Sequence, residues 1–121
     1  MARTEQLLDR LRRLQATYPE ITASAIVSPD GMSIASTVAG ESAEDRLAAM
    51  SAAMLALGER IAGELDRGAL EQVFVNGERG FVVLMSIAGK AVLTAIADER
   101  ARLGLVVLEM RRALEDLRLL I

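Results

Sequence analysis

Apolar residues at helical spacing predict a first helix over residues 4–17. Leu7, Leu11 and Leu14 recur at intervals that place them on one face of an α-helix, with the charged residues on other faces. Pro19 follows this segment and should end it, because the residue before a proline is pushed out of the helical region. The chain therefore begins with a predicted amphipathic helix.

Two extended segments come next and predict a β-hairpin. Residues 21–27 are an apolar run with small polar residues interleaved, and residues 32–38 alternate apolar and polar positions. This alternation is the period of a strand that buries one face. Residues 28–31 read Ser-Pro-Asp-Gly, which favours a tight turn because proline presets φ and glycine accepts a positive φ.

The second half of the chain predicts a long helix, three strands and a last helix. The long helix covers residues 43–66, with Ser42 as its N-cap and Gly68 beyond its end. An Asn-Gly dipeptide at 76–77 and a glycine at position 89 favour hairpin turns between the strands. The element order is α-β-β-α-β-β-β-α. The predicted strands cover residues 70–75, 81–87 and 91–97, and the last helix covers residues 101–117.

The middle helix has two apolar sides that differ in side-chain size. We expect the large residues to pack on the sheet, as in an ordinary amphipathic helix. The other side is mostly small, where a solvated helix would carry Lys, Glu, Gln and Arg, so we predict that it contacts a second copy or a partner. The high helix propensity of alanine would also explain why this side of the helix is rich in alanine. The large set is Leu47, Met50, Met54, Leu57, Ile61 and Leu65, and the candidate interface set is Ala48, Ala49, Ala52, Ala56, Glu59, Arg60 and Gly63.

The third predicted strand is a second candidate contact. Residues 70–75 contain one charge, Glu71, and no proline. A strand this poor in charge is weakly protected if it lies at a sheet edge, so we expect another strand to pair with it. Leu70, Gln72 and Phe74 therefore join the candidate interface.

The composition excludes several kinds of chemistry. The 121 residues carry a net charge of −3, include 2% aromatic residues, and contain neither histidine nor cysteine. Disulfides, thiolate nucleophiles and a Ser-His-Asp site are therefore impossible. Nucleic-acid binding is disfavoured, because there is no basic stripe and almost no aromatic surface for base stacking. The length fits one domain over residues 1–121 with an aliphatic core.

The remaining charged groups indicate no active site. Adjacent carboxylates at 98–99 and 115–116 can act as an acid and a base or hold Mg²⁺. More commonly, a pair like the first lies at a helix N-terminus, where anions are favourable, and a pair like the second lies on a solvated helix face. The same solvated reading applies to Arg111 and Arg112. We predict no catalytic residue, no cofactor and no metal.

No segment is predicted to enter a membrane. The longest uncharged run, residues 47–58, is far shorter than the ~20 residues of a spanning helix. The first residues mix acidic and basic groups and lack the apolar stretch of a secretory leader. We expect a cytoplasmic protein without membrane insertion.

Together these features resemble the Roadblock / dynein light-chain domain family, above all its stand-alone prokaryotic members, which include the gliding-motility regulator type. The resemblance extends from about Leu7 to Leu117 and rests on the element order together with several segments. These segments are Ser28-Pro29-Asp30-Gly31, Leu47-Ala48-Ala49-Met50, Leu103-Gly104-Leu105-Val106 and Glu109-Met110-Arg111.

The resemblance implies a five-stranded antiparallel sheet, with the middle helix on one face and the two terminal helices on the other. It also implies a homodimer that joins the third strands and the middle helices of two copies. It further implies a platform for Ras-like small GTPases, acting as an activator or as a scaffold. The platform surface would carry Ala49, Ala52, Ala56, Arg60 and Gly63.

Other functions fit the same pattern. A structural adaptor would use the same dimer to bridge larger complexes without a GTPase. A small-molecule sensor of the PAS or GAF type has a related sheet, but such sensors usually place aromatic or polar groups inside. This chain offers only Phe74, Phe81 and Tyr18. An enzyme is the least favoured reading.

Overall fold

A computed structural model describes residues 2–121 and confirms the predicted element order. Small differences concern where the elements begin and end. The helices are α1 (Arg3–Thr17), α2 (Glu41–Glu64) and α3 (Leu103–Leu117), and the strands are β1 (Ile21–Val27), β2 (Ser33–Ser36), β3 (Val73–Gly77), β4 (Gly80–Ile87) and β5 (Ala91–Asp98).

The five strands form one antiparallel sheet in the order β2-β1-β5-β4-β3. The central strand, β5, pairs with β1 and β4, so β2 and β3 are the edges. Gly80 opens β4 at a φ of 136°, and a side chain there would collide with the backbone carbonyl of Ala97 on β5. Glycine is therefore required where β4 enters the sheet beside β5.

Helices α1 and α3 cover one face of the sheet and close the larger core. Leu7, Leu11 and Leu14 of α1 meet Met110 and Leu117 of α3, and all five are buried. At the outer side of this layer, the Asp116 carboxylate accepts hydrogen bonds from Arg10 Nε at 2.6 Å and Arg13 Nη2 at 2.8 Å. These ion pairs link the two helices.

Helix α2 covers the other face mostly with small side chains. Ala48, Ser51, Ala52 and Leu55 are its buried residues. Ser51 Oγ accepts a hydrogen bond from the Thr94 hydroxyl of β5 at 2.9 Å, a fully buried polar contact between helix and sheet. The predicted placement of α2 opposite α1 and α3 is thus confirmed.

Several predicted boundaries were wrong. Gly40, not Ser42, is the N-cap residue of α2, and Ser42 lies inside the first turn. The turn between β3 and β4 is at residues 78–79, because the Asn-Gly dipeptide at 76–77 continues β3. Asp98 ends β5 and does not lie in the first turn of α3, which begins at Leu103.

Candidate functional site

The most unusual surface of the protein is a row of large apolar side chains along α2. Met50, Met54, Leu57, Ile61 and Leu65, here called the apolar ridge, are between 37% and 62% exposed. Contiguous apolar patches on the surface of monomeric proteins are rarely large, and such patches mark interaction sites. The ridge is therefore the strongest candidate for a contact surface.

This orientation of α2 is opposite to the predicted one. We expected the six large residues to face the sheet and the alanines to face outward, but of the six only Leu47 packs against the cluster between α2 and the sheet. Instead, Ala48 and Ala52 are 1% and 9% exposed and lie against the protein's own sheet. These two residues cannot belong to an open surface of α2, although both were predicted to do so.

The close approach of α2 to the sheet explains the reversal. Gly58 lies so near the β3 side of the sheet that a Cβ there would be 2.8 Å from Val73 Cγ2 and 3.0 Å from Leu70 Cδ2. The Ser51–Thr94 hydrogen bond likewise requires a short distance between α2 and β5. Small residues therefore predominate on the side of α2 that faces the sheet, and Leu55 is a large residue that is buried there as well.

The remaining predicted residues of α2 are exposed, as expected. They form a second surface on the opposite side of the helix from the ridge, here called the alanine flank, and its members are Ala49, Ala56, Glu59, Arg60 and Gly63. The flank borders the β1–β2 turn, where a Cβ on Gly31 would lie 3.4 Å from Ala49 Cα. Arg60 Nε donates a hydrogen bond to Glu64 at 3.1 Å, and both side chains are largely solvated.

An apolar groove separates the ridge from the sheet. Met50 and Met54 form one wall, and Val75 of β3 and Leu84 of β4 lie on the other side. The groove has a volume of about 330 Å³ and is open to solvent. It joins the ridge to the edge strand, so the ridge, the groove and β3 make one continuous surface.

The third strand, β3, lies at an edge of the sheet, which is the condition under which we expected another strand to pair with it. It begins at Val73 and not at residue 70, so Leu70 and Gln72 lie in the connection before it. Leu70 packs on α2, and Gln72 Oε1 is buried without a hydrogen-bond partner among residues 2–121. Phe74 is 43% exposed and contacts Phe81 of β4 edge-on, with ring centroids 5.3 Å apart.

Three of the charged groups set aside above, Asp98, Asp116 and Arg112, are paired within the protein. Arg100 donates hydrogen bonds to Asp98 from its backbone N–H and from Nη2, each at 2.9 Å. The side-chain hydrogen bond from Arg100 is the main cause that lowers the pKa of the Asp98 carboxyl below its ordinary value, and the same bond raises the pKa of Arg100. Arg112 pairs with Glu109 at 3.0 Å.

The described residues contain neither a metal-ligand cluster nor a membrane-spanning helix. Between residues 2 and 121, no three His, Cys, Asp or Glu side chains come together as ligands for a metal ion. Over the same residues, no helix combines the length and the apolar character needed to cross a membrane.

Comparison with known proteins gives consistent matches. The family model described as Roadblock/LC7 domain matches residues 7–97. Protein MJ1340 of Methanocaldococcus jannaschii is 37% identical over 98 residues, which cover 81% of this chain and 85% of that protein. Two solved structures share the fold. Myxococcus xanthus MglB has a TM-score of 0.85 at 21% identity, covering 98% of this chain and 92% of that one, and MglB with a tetrameric arrangement has a TM-score of 0.88 at 22% identity, covering 99% and 90%.

Proposed function

Since this chain belongs to the Roadblock/LC7 domain family, we propose that it is a non-enzymatic homodimeric platform in the cytoplasm that binds and regulates a Ras-like small GTPase. The observation that carries the proposal is the apolar ridge beside the unpaired β3 edge. In this proposal the dimer holds the GTPase in a competent arrangement, and the GTPase supplies the chemistry of hydrolysis.

The dimer part of the proposal rests on two exposed features, the edge of β3 and the apolar ridge. The outer backbone groups of β3 have no partner strand within the sheet, and a second β3 would hydrogen-bond to them. Covering the ridge with a second ridge removes large apolar side chains from water, and full burial of one such side chain contributes about 1.5–3 kcal/mol. Both contacts lie on one side of the protein, so a single two-fold axis satisfies them together. The tetrameric arrangement of a structurally similar MglB is consistent with self-association in proteins of this fold.

The GTPase part rests on the family and on the alanine flank. Pairing through the ridge leaves Ala49, Ala56, Arg60 and Gly63 uncovered, and these residues belong to the platform surface that the family resemblance implies. Their small side chains allow close approach of a partner backbone, and Arg60 offers an exposed charge. Ala52, which was predicted to share this surface, faces the sheet and is not part of it.

The first experiment separates the two surfaces of α2. Leu57→Glu places a charge in the ridge, and Ala56→Arg places a larger charged side chain on the flank one residue away. Light scattering after size exclusion should show a dimer for the wild type and for Ala56→Arg, and a folded monomer for Leu57→Glu. A strictly monomeric wild type at high concentration would refute the dimer.

The second experiment addresses the partner. Purified wild-type protein is mixed with Ras-like GTPases of its source organism, loaded with GDP or with a non-hydrolysable GTP analogue. We expect binding at tens of micromolar or tighter, with a nucleotide preference, and loss of that binding in Ala56→Arg. The protein alone should not hydrolyse GTP. A stable dimer that binds none of these GTPases would contradict the regulator proposal and favour the adaptor.

A further inference from the structure

A small cleft, here called the turn cleft, lies beside the alanine flank, between α2 and two turns of the sheet. Ala56 and Glu59 line it from the helix, Pro29 lines it from the β1–β2 turn, and Gly89 lines it from the β4–β5 turn. Its volume is about 80 Å³. Pockets for small-molecule ligands usually have volumes of about 300–1,000 Å³. The turn cleft is therefore too small for a nucleotide, but it can hold the end of one side chain.

Hydrogen bonds hold both turns that border the cleft. In the β4–β5 turn, the backbone N–H of Gly89 donates to Ser86 Oγ at 3.0 Å. In the β1–β2 turn, the backbone N–H of Gly31 donates to the carbonyl oxygen of Ser28 at 3.0 Å. A partner that enters a preformed cleft loses less free energy to the ordering of loops than one that must first shape its site. The turn cleft is thus suited to receive a side chain from outside.

One charged residue, Glu59, lines the turn cleft. Its carboxylate forms no ion pair within residues 2–121. The neighbouring Arg60 pairs with Glu64 at 3.1 Å, so its guanidinium is already occupied. Lys90 follows the cleft residue of the β4–β5 turn in the sequence, and its ammonium forms no ion pair with Glu59. The cleft therefore carries an uncompensated negative charge.

The lining of the cleft favours a basic side chain over the other kinds. An apolar side chain would remove the Glu59 carboxylate from water without giving it a partner, which costs free energy. An acidic side chain would be repelled by that carboxylate. An arginine or a lysine can lay its aliphatic stem on the apolar lining residues Leu55, Ala91 and Val92 while its charged end meets the carboxylate. The cleft thus matches a basic side chain in both its apolar and its charged part.

We propose, on the basis of the GTPase platform proposed above, that the turn cleft receives an arginine or lysine side chain of the Ras-like GTPase. Glu59 is the counter-ion of that side chain, and the small residues of the alanine flank let the surrounding GTPase backbone come close. The cleft lies on the opposite side of α2 from the apolar ridge, so it stays open in the proposed dimer. Glu59 is thus a specificity residue that selects a partner surface with a projecting basic residue.

Removal of the charge tests the role of Glu59. Glu59→Gln keeps the size of the side chain, and its affinity for the GTPase that binds the wild type should fall at least about tenfold by calorimetry. Glu41→Gln is the matched control, because it removes the same charge from the exposed start of α2, roughly 27 Å away along the helix. Its affinity should change less than about threefold. Equal weakening by both variants would show an effect of net charge alone and would overturn the proposal.

A charge exchange identifies the basic residue on the partner. Glu59→Lys should bind still more weakly than Glu59→Gln, because two cations would then meet at the cleft. Exposed arginine and lysine residues of the GTPase are changed singly to glutamate. One of these GTPase variants should lose affinity for the wild type and regain it with Glu59→Lys, as coupled residues do in a double-mutant cycle. If no GTPase variant restored binding to Glu59→Lys, the proposal would be overturned.

Lys90→Met supplies a control of the opposite sign. It removes the cation of the β4–β5 turn, so the GTPase should bind as tightly as to the wild type or more tightly. Weaker binding would show that the partner meets Lys90 with an acidic group, which would overturn the proposal. A GTPase that binds every variant equally would overturn the role of the cleft and leave the platform standing. If none of the GTPases binds the wild type, both proposals fail.

Discussion

The two faces of the sheet use side-chain size in opposite ways. On the α1 and α3 side, Leu7, Leu11 and Met110 point into the core and are fully buried. On the α2 side, Ala48 and Ala52 face the sheet, and the apolar ridge points away from it. One layer is closed within a single chain, whereas the other keeps its largest apolar residues at the surface.

This difference shows that the size of an apolar residue does not indicate whether its own chain or a second molecule buries it. A helix that lies close to its own sheet must present small residues there, as the Gly58 approach to Val73 shows. Such a helix gains little apolar burial from its own chain. The large residues on its outer side are then available to stabilise an association, which is the basis of the proposed dimer.

The largest expected effect separates two alanines one helical turn apart. Ala52→Arg puts a charged side chain against the sheet and should lower the free energy of unfolding by about 3–5 kcal/mol. Ala56→Arg lies on the exposed flank and should change it by less than about 0.5 kcal/mol. Urea unfolding followed by circular dichroism measures both. Equal effects would show that α2 does not face the sheet through Ala52.

The next test compares one leucine from each layer. Leu11→Ala removes a buried side chain from the closed core and should destabilise the protomer by about 3 kcal/mol. Leu57→Ala removes an exposed one, so the isolated protomer should change by less than about 1 kcal/mol.

The ridge variant should instead change how stability depends on concentration. Melting temperature rises with protein concentration when association stabilises the native state. We expect this rise for the wild type and for Leu11→Ala, and a much smaller rise for Leu57→Ala. If both leucine variants retained the full concentration dependence, the contrast between the two layers would fail.

A moderate effect is expected for the ion pairs between α1 and α3. Asp116→Asn removes the carboxylate from Arg10, whose side chain is only 10% exposed, and should destabilise the protein by about 1–2 kcal/mol. Glu64→Gln breaks the solvated pair with Arg60 on α2 and should have an effect below about 0.5 kcal/mol. Denaturant midpoints measure both variants, and equal shifts would contradict this ranking.

The smallest effect concerns Asp98. Its pKa is lowered in the folded protein mainly by the side-chain hydrogen bond from Arg100. A carboxylate with a lowered folded pKa contributes stability above its unfolded pKa and loses that contribution as the pH falls through the folded pKa. The stability difference between wild type and Asp98→Asn should therefore be present at pH 7 and shrink in acid, below the ordinary Asp pKa. Titration by NMR would contradict this if Asp98 ionised at its ordinary pKa.

The element order and the family were predictable from the sequence, and both are confirmed. Each helix and strand had a clear period, and glycine and proline marked most of the turns. The strand at residues 70–75 was placed too early because Leu70 reads as a strand residue. In the structure Leu70 packs on α2 instead, so tertiary contact decided where β3 begins.

The orientation of α2 was not predictable from hydrophobicity alone. The large and the small side of this helix are both apolar. Because the large side chains are the more hydrophobic, the sequence pattern assigns that side to the core. Gly58 was the available signal, because a glycine inside a helix permits close approach to another element. The buried Ser51–Thr94 pair carried no signal, since serine and threonine are also common on surfaces.

Tyr18 lies in the α1 and α3 layer, where its hydroxyl accepts a hydrogen bond from the backbone N–H of Arg102 at 2.9 Å. It is the only tyrosine, and the chain has no tryptophan. Tyrosine fluorescence therefore reports on the closed layer, and no tyrosine or tryptophan lies on the ridge side of the protein. Measuring assembly by fluorescence therefore requires a dye attached on the ridge side. The emission of Tyr18 can then serve as an internal reference that the fold is intact.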